Sequence, residues 1–168
     1  MKILIITFLC SFLFGNDEFV DLKGDKVEIN NKQKNIIIVC SSVSCHNCYL
    51  QLADFFKKNN VYNDTSINLT VIVNVNKTNI QNIGYKKTLS NNVKELFPQI
   101  NNIIFNCKTK GSYYYLFKKK IDERLLPNVF LISNKENRCL KLEDIFDKYD
   151  ISSSFTDIVI SFIKKETK

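Results

Sequence analysis

The sequence predicts one α/β domain in which helices alternate with the strands of a central sheet. Continuous β-branched runs at 35–40, 67–75 and 128–132 are typical of strands buried on both faces. Between these runs, apolar residues recur every three or four positions, as they do in amphipathic helices. The chain has 168 residues, of which 45% are hydrophobic, and this is enough for one core.

The elements follow in the order β-α-β-α-β-α-β-β-α, which indicates an α/β sandwich with parallel crossovers and a terminal hairpin. Residues 27–29 are predicted as an edge element of a hairpin. A capping box at Ser154 and Asp157 is predicted to start the last helix. Further strands are predicted at 35–40, 67–75, 103–105 and 128–132, with a hairpin partner at 139–140. Helices are predicted from 48 to a point near 59–60, and at 85–97, 113–121 and 155–163.

The charge of the chain does not indicate a nucleic-acid partner. The net charge is +7, but the lysines are scattered and the densest run is 118–120, on a predicted helix. Nucleic-acid binding sites usually gather basic residues on one face or stripe. We therefore interpret the lysines as a solvated surface and predict no nucleic-acid binding.

The first fifteen residues have the pattern of a secretory signal. Lys2 precedes an apolar run at 3–14, and Gly15 is followed by polar residues at 16–18. The run is shorter than the roughly 20 residues that a membrane-spanning helix needs. We predict that residues 1–15 are a signal peptide and 16–168 the mature domain, exported to the periplasm or secreted. A buried N-terminal strand is the alternative.

Cys45 and Cys48 form a CxxC pair at the junction of a buried strand and a helix. A serine-rich bend at 41–44 separates them from the strand. Unpaired N–H groups and the macrodipole at a helix N-terminus favour an anion, and such a position lowers the pKa of a cysteine. Cys45 is therefore predicted to be the attacking thiolate. Cys48, one turn further on, is predicted to resolve the mixed disulfide.

Two other features accompany the pair. His46, the only histidine, lies between the cysteines, where a protonated ring would favour the Cys45 thiolate; the alternative is a side chain that points into solvent. Pro127 follows Leu126 directly before a buried strand. Since proline breaks a strand ladder, it belongs at the start of that strand.

These features together resemble the thioredoxin superfamily. The unit of strand, bend, CxxC and helix is followed about eighty residues later by the strand that Pro127 opens. Residues 21–29 (DLKGDKVEI) resemble the hairpin that precedes the active-site strand in exported TlpA/ResA-type thiol–disulfide oxidoreductases. Residues 127–137 (PNVFLISNKEN) resemble the later strand and turn of the same proteins, and the similarity covers 17–165.

The resemblance implies a thioredoxin-like three-layer α/β/α sandwich with a central mixed sheet. It implies thiol–disulfide exchange through Cys45 and Cys48 with no organic cofactor and no metal. Pro127 would be a cis-proline beside the cysteines, and Leu126 and Pro127 would contact the substrate chain. The implied partners are substrate proteins with disulfides or thiols and a membrane electron-donor thiol protein, and the protein is expected to be a monomer.

The chain departs from the family at three places around the cysteines. Ser44 stands where the family commonly has tryptophan, and Val39 stands where thioredoxins have a buried aspartate. His46 and Asn47 match the intervening dipeptide of neither thioredoxin nor the strong oxidants. These departures leave the redox potential open. His46 and the helix terminus are expected to stabilise the Cys45 thiolate, and the expected direction is that of a reductant.

Other interpretations of the cysteines remain open at this point. The Cys45–Cys48 pair could form a static disulfide in a binding module or chaperone. A Cys₄ zinc centre would add Cys107 and Cys139, although these two are not a close pair. A Cys107–Cys139 bridge is also conceivable, and Cys40 is predicted to be a buried, inert thiol. The peroxiredoxin pattern Pro-x-x-x-Thr-x-x-Cys is absent from 41–48.

Overall fold

The structure, a computed structural model, describes residues 19–30, 32–41, 46–76, 78–100, 102–107, 127–148 and 150–165. The predicted signal peptide at 1–15 and the predicted helix at 113–121 lie outside these residues. The elements are, in chain order, β1 (Phe19–Val20), β2 (Lys34–Ser41), α1 (His46–Lys58), a 3₁₀ turn (Val61–Asn63), β3 (Ile67–Val75), α2 (Ile83–Leu96), β4 (Asn102–Cys107), β5 (Asn128–Ile132), β6 (Asn137–Leu140), α3 (Leu142–Ile145), β7 (Phe146–Asp147), β8 (Asp150–Ile151) and α4 (Ser153–Lys164).

A mixed six-stranded sheet forms the centre of the molecule, in the order β1-β4-β3-β2-β5-β6. Strands β2, β3 and β4 are parallel, whereas β5 is antiparallel to β2. The carboxyl ends of the three parallel strands therefore meet at one end of the sheet, and β5 begins there. We call this the CxxC end, because the segment of sequence with Cys45 and Cys48 follows β2. The mixed sheet with flanking helices confirms the predicted fold class.

The two faces of the sheet carry separate apolar clusters. Side chains alternate along β2, so that Ile36 and Ile38 point to the first face and Ile37 and Val39 to the second. All four are fully buried. Side chains of α1, α2 and α4 pack in the cluster on the first face. The second cluster contains Phe19, Ile37, Val39, Ile72, Ile104, Phe130 and Ile132.

The N-terminal hairpin differs from its prediction. The edge strand is Phe19–Val20, which pairs with β4, while 27–29 form no strand. The hairpin itself is present, since the backbone N–H of Val27 donates to the carbonyl oxygen of Phe19 at 2.7 Å. The turn depends on Asp21, whose Oδ1 accepts hydrogen bonds from the backbone N–H groups of Gly24 (2.8 Å) and Asp25 (2.9 Å). Gly24 has a φ of 102°, a backbone conformation that residues other than glycine rarely adopt. Lys86 Nζ on α2 donates to the carbonyl oxygen of Asp21 at 3.2 Å and so anchors the turn.

The predicted capping box of the last helix is wrong by two residues. Helix α4 begins at Ser153, and Ser152 Oγ accepts a hydrogen bond from the backbone N–H of Phe155 at 3.1 Å. At the other end of α4, the buried Lys34 Nζ donates to the carbonyl oxygen of Ile163 at 2.8 Å. Since Lys34 opens β2, the C-terminus of α4 lies at the end of the sheet opposite the CxxC end.

Replacing Lys34 with methionine is expected to lower the free energy of unfolding by about 1–2 kcal/mol. The change removes a charged hydrogen bond and a cation from a helix C-terminus, while it keeps most of the apolar stem. Urea unfolding measures the effect. The matched control is Lys32→Met, since Lys32 is exposed. Equal midpoints for the two variants would show that the Lys34–Ile163 contact contributes nothing.

Candidate functional site

The junction of β2 and α1 holds the predicted cysteine pair. Strand β2 ends at Ser41 and α1 begins at His46, so four residues, 42–45, join them. Cys48 lies in the first turn of α1 and is half-buried. Cys45 directly precedes the helix and lies outside the described residues, as does the side chain of His46. The first turn of α1 contains no acidic residue, so its macrodipole is not offset by a carboxylate there.

Cys40 is a buried thiol on the first face of the sheet, as predicted. Its side chain is 7% exposed and belongs to the same apolar cluster as Tyr49 and Leu52 of α1. Burial raises the pKa of Cys40 to about 12. A thiol with this pKa is neutral at physiological pH and a poor nucleophile, because the thiolate is the reactive form.

The burial of Cys40 predicts a loss of stability at alkaline pH. The unfolded thiol ionises near pH 9.0, whereas the folded thiol keeps its proton until about pH 12. The unfolded state therefore binds fewer protons above pH 9, and the free energy of unfolding falls as the pH rises. Between pH 8 and pH 10 we expect Cys40 to account for a loss of about 1 kcal/mol.

Urea unfolding of the protein and of Cys40→Ala at pH 8, 9 and 10 measures this effect. The variant is expected to lose less stability over the interval, whatever its stability at pH 8. The upper limit is kept at pH 10 because burial also raises the pKa of Tyr62 to about 12, from an ordinary 10.0. Parallel curves for the two proteins would contradict the assignment to Cys40.

Pro127 lies at the CxxC end beside β2. It is buried directly before β5, in which Asn128 pairs with Val39 in antiparallel register. The same register, continued by one residue, places Pro127 opposite Cys40, five residues before Cys45. The other predicted substrate contact, Leu126, lies outside the described residues.

A buried group of amides at the CxxC end was missed by the sequence analysis. Asn74, Asn106 and Asn128 are at most 6% exposed. Asn74 pairs with Ser41 in the register of β3 and β2, and Asn106 Nδ2 donates to Asn74 Oδ1 at 3.2 Å. Among the residues that the structure describes, Asn106 Oδ1 is buried without a hydrogen-bond partner. Asparagine is depleted in strands. The presence of Asn74 near the end of the run 67–75 and of Asn128 at the start of the run 128–132 could therefore have indicated this polar group.

These amides are neutral, and this affects proton transfer at the site. No aspartate or glutamate is buried among the described residues. Val39, which stands where thioredoxins have a buried aspartate, is fully buried on the second face, next to Ile72 in β3. Over the described part of the chain, no buried carboxylate is therefore available to accept a proton from Cys48.

No protein-family model and no curated protein matches the chain. Solved structures do match. The chain is similar to a thiol:disulfide interchange protein from Bacteroides sp., with 13% identity and a TM-score of 0.51 over 89% of this chain and 86% of that one. It is similar to the thioredoxin domain of a thiol–disulfide oxidoreductase from Bacteroides vulgatus, with 13% identity and a TM-score of 0.51 over 87% and 91%.

A third similar structure is BsSco, a member of the Sco family of cytochrome c oxidase assembly proteins for which a disulfide switch is described. It is 14% identical, with a TM-score of 0.54 over 90% of this chain and 94% of that one. This chain has a thioredoxin-like fold. The fold that the sequence resemblance implied is thereby confirmed.

The strand order of this thioredoxin-like fold excludes a Cys107–Cys139 bridge. Cys107 ends β4 and Cys139 lies in β6, and β3, β2 and β5 separate the two strands. Four intervals of about 4.8 Å place the two backbones roughly 19 Å apart. A disulfide needs Cα atoms within about 7 Å. The same separation rules out a Cys₄ zinc centre that includes both residues.

Within the described ranges, no group of three His, Cys, Asp or Glu side chains is arranged to hold a metal ion. A search of the same residues finds no helix with the length and apolar character needed to span a membrane.

Proposed function

We propose that this protein is an exported thiol–disulfide oxidoreductase that reduces disulfides of other proteins through Cys45 and Cys48. The observation that carries the proposal is the position of the pair in a thioredoxin-like fold. Cys45 immediately precedes α1, Cys48 lies in its first turn, and that turn holds no acidic residue. A thiolate at Cys45 is therefore favoured by the helix N-terminus.

The reaction is two successive thiol–disulfide exchanges. The Cys45 thiolate attacks one sulfur of the substrate disulfide, the S–S bond breaks, and the other substrate sulfur leaves as a thiolate that takes a proton from water. Cys48 gives its proton to water, and its thiolate attacks Cys45 Sγ in the mixed disulfide. The bond between Cys45 and the substrate breaks, and the second substrate sulfur leaves as a thiolate that takes a proton from water. Two electrons pass to the substrate, so the protein ends as a Cys45–Cys48 disulfide and the substrate as a dithiol.

The direction follows from which form of the protein is stabilised. The N-terminus of α1 stabilises the Cys45 thiolate, and a protonated His46 would stabilise it further. Both make Cys45 a ready nucleophile toward a substrate disulfide, but both also raise the reduction potential, because a protein whose dithiol form is stabilised is a stronger oxidant. The proposed reductant therefore requires a thiolate that is stabilised only moderately, as in thioredoxin. Since exported proteins lie in an oxidising compartment, a dithiol protein in the membrane would have to return two electrons to the Cys45–Cys48 disulfide.

The reduction potential of the Cys45–Cys48 couple tests the proposal. The purified protein is equilibrated in glutathione or dithiothreitol buffers, thiols are trapped, and peptide masses identify the bridged cysteines. We expect a value near −270 mV, as for thioredoxin. A value near −120 to −180 mV would reverse the proposed direction, making the protein an oxidant or isomerase. Cys139→Ser is the control and is expected to leave the potential unchanged, since Cys139 lies in the far strand β6.

A binding module or chaperone with a static disulfide is the second candidate. The lack of a buried carboxylate among the described residues favours it, because the resolving cysteine then has no such base to deprotonate it. The same titration separates the candidates. A Cys45–Cys48 bridge that stays oxidised in dithiothreitol indicates the static module, and the failure of any bridge to form between them ends the enzymatic proposal.

A further inference from the structure

Two large apolar side chains stand out among the described residues because they are exposed. Leu50 is 46% exposed and Ile83 is 60% exposed. Exposed apolar residues scattered singly need no explanation, but those that gather at one place mark an interaction site. The positions of Leu50 and Ile83 in the fold therefore decide whether they belong together.

Both residues lie at the CxxC end of the molecule. Helix α1 follows β2 and α2 follows β3, and these two strands are parallel neighbours, so both helices begin at the same end of the sheet. The two helices also contact each other on the first face. Leu50 is two residues beyond Cys48, roughly 6 Å along the axis from the start of α1. Ile83 is the first residue of α2.

The exposed charge beside Ile83 in α2 is that of Lys87. Residues 65–94 contain four lysines and no aspartate or glutamate, although Lys86 is buried against the turn that holds Asp21. Lys87 is exposed one turn beyond Ile83 in α2, and the first turn of this helix, like that of α1, contains no acidic residue. The nearest carboxylate along α1 is that of Asp54, one turn further from the CxxC end, where it lines a groove with Lys58 and Asp150.

We propose that Leu50, Ile83 and Lys87 form a docking surface for the polypeptide that carries the substrate disulfide. The inference rests on the proposed function and deepens it by naming the substrate class. That class is an extended segment with apolar side chains beside aspartate or glutamate, close to its disulfide. Apolar contacts with Leu50 and Ile83 would hold the segment, and attraction to Lys87 would speed its arrival.

Reduction of three disulfides by the pre-reduced protein tests the proposal. Two are synthetic peptides with the same apolar residues and one internal disulfide, flanked by three glutamates in one peptide and three lysines in the other. The third is bis(2-hydroxyethyl) disulfide, which is too small to reach the surface. At low salt we expect the glutamate peptide to react about tenfold faster than the lysine peptide. The difference is expected to shrink in 0.5 M NaCl, where charges are screened.

Variants of Leu50, Ile83 and Lys87 test whether these side chains cause the difference in rate. For the Leu50→Ser, Ile83→Ser double variant, the rate with the glutamate peptide relative to that with the small disulfide is expected to fall about tenfold. Lys87→Glu is expected to abolish the preference for the glutamate peptide. The matched control is Lys164→Glu, which changes an exposed lysine of α4 at the opposite end of the sheet and is expected to keep the preference.

The outcomes separate the two proposals. Equal rates with both peptides, or unchanged relative rates in the double variant, overturn the docking surface while the redox function stands. Failure of the protein to reduce even bis(2-hydroxyethyl) disulfide overturns the proposed function itself. Self-association of the protein that the double variant abolishes would assign the surface to a second copy of this chain, and so would also overturn the proposal. Urea midpoints close to that of the parent protein show that the variants are folded, as expected for exposed positions.

Discussion

Replacing Cys48 with serine is expected to stop the reaction at a mixed disulfide between Cys45 and the substrate. A serine hydroxyl does not displace a thiolate from a disulfide at neutral pH, so the second exchange fails. Catalytic turnover of a protein disulfide should fall to the uncatalysed rate. Mass spectrometry of the protein after incubation with the substrate should show a covalent adduct that dithiothreitol removes.

Cys45→Ser and Cys139→Ser make this experiment specific. Cys45→Ser lacks the attacking thiolate and should give neither turnover nor adduct. Cys139→Ser removes a thiol from the edge strand β6, which β5 separates from β2. This variant should behave like the parent protein. An adduct of equal yield in Cys45→Ser would show that another cysteine attacks the substrate, and the proposed roles would then be wrong.

Replacing Phe56 with alanine is expected to lower the free energy of unfolding by about 3–5 kcal/mol. Phe56 is fully buried on α1, and its ring centroid lies 5.5 Å from that of Phe55 and 6.4 Å from that of Tyr62, both in edge-on geometry. The loss is a large part of the roughly 5–15 kcal/mol that stabilises a typical domain. Because α1 carries Cys48 and begins directly after Cys45 in the sequence, we also expect lower activity at temperatures where the variant partly unfolds.

Urea unfolding measures the loss, and Lys57→Ala is the matched control. Lys57 is the next residue of the same helix and is exposed, so its change should shift the free energy of unfolding by about 0.5 kcal/mol or less. If Phe56→Ala cost no more than the control, α1 would not depend on this packing. The reduction potential of the fully folded variant at low temperature should equal that of the parent protein.

The buried strands and amphipathic helices were predictable because their patterns are local. The β-branched run at 35–40 became β2, and the apolar repeat that starts at Cys48 became α1. Pro98 lies just beyond the end of α2 at Leu96. Proline lacks the backbone N–H that a helix interior needs, so a helix is expected to end before it. These two neighbouring patterns were enough to predict that the CxxC pair lies at the junction of β2 and α1. The sequence alone therefore identified the candidate site.

A local pattern placed the start of α4 incorrectly. The sequence predicted a capping box at Ser154 and Asp157, whereas the observed cap is Ser152. In the structure the backbone N–H of Ser152 donates to the carbonyl oxygen of Ile145 at 2.9 Å, and Ser152 Oγ donates to that of Asp144 at 2.8 Å. These contacts with α3 place Ser152 at the cap. The two-residue strand β1 likewise exists because β4 offers it an edge.

The sequence by itself determined the class of the fold, its main elements and the cysteine pair that joins β2 to α1. Only the tertiary structure decided which distant residues meet, because side-chain periodicity shows which face of an element is buried but not its neighbours. The order of the strands brings Pro127 beside β2, joins Asn74 to Asn106, and separates Cys107 from Cys139. The parallel direction of β2 and β3 places the starts of α1 and α2 together at the CxxC end.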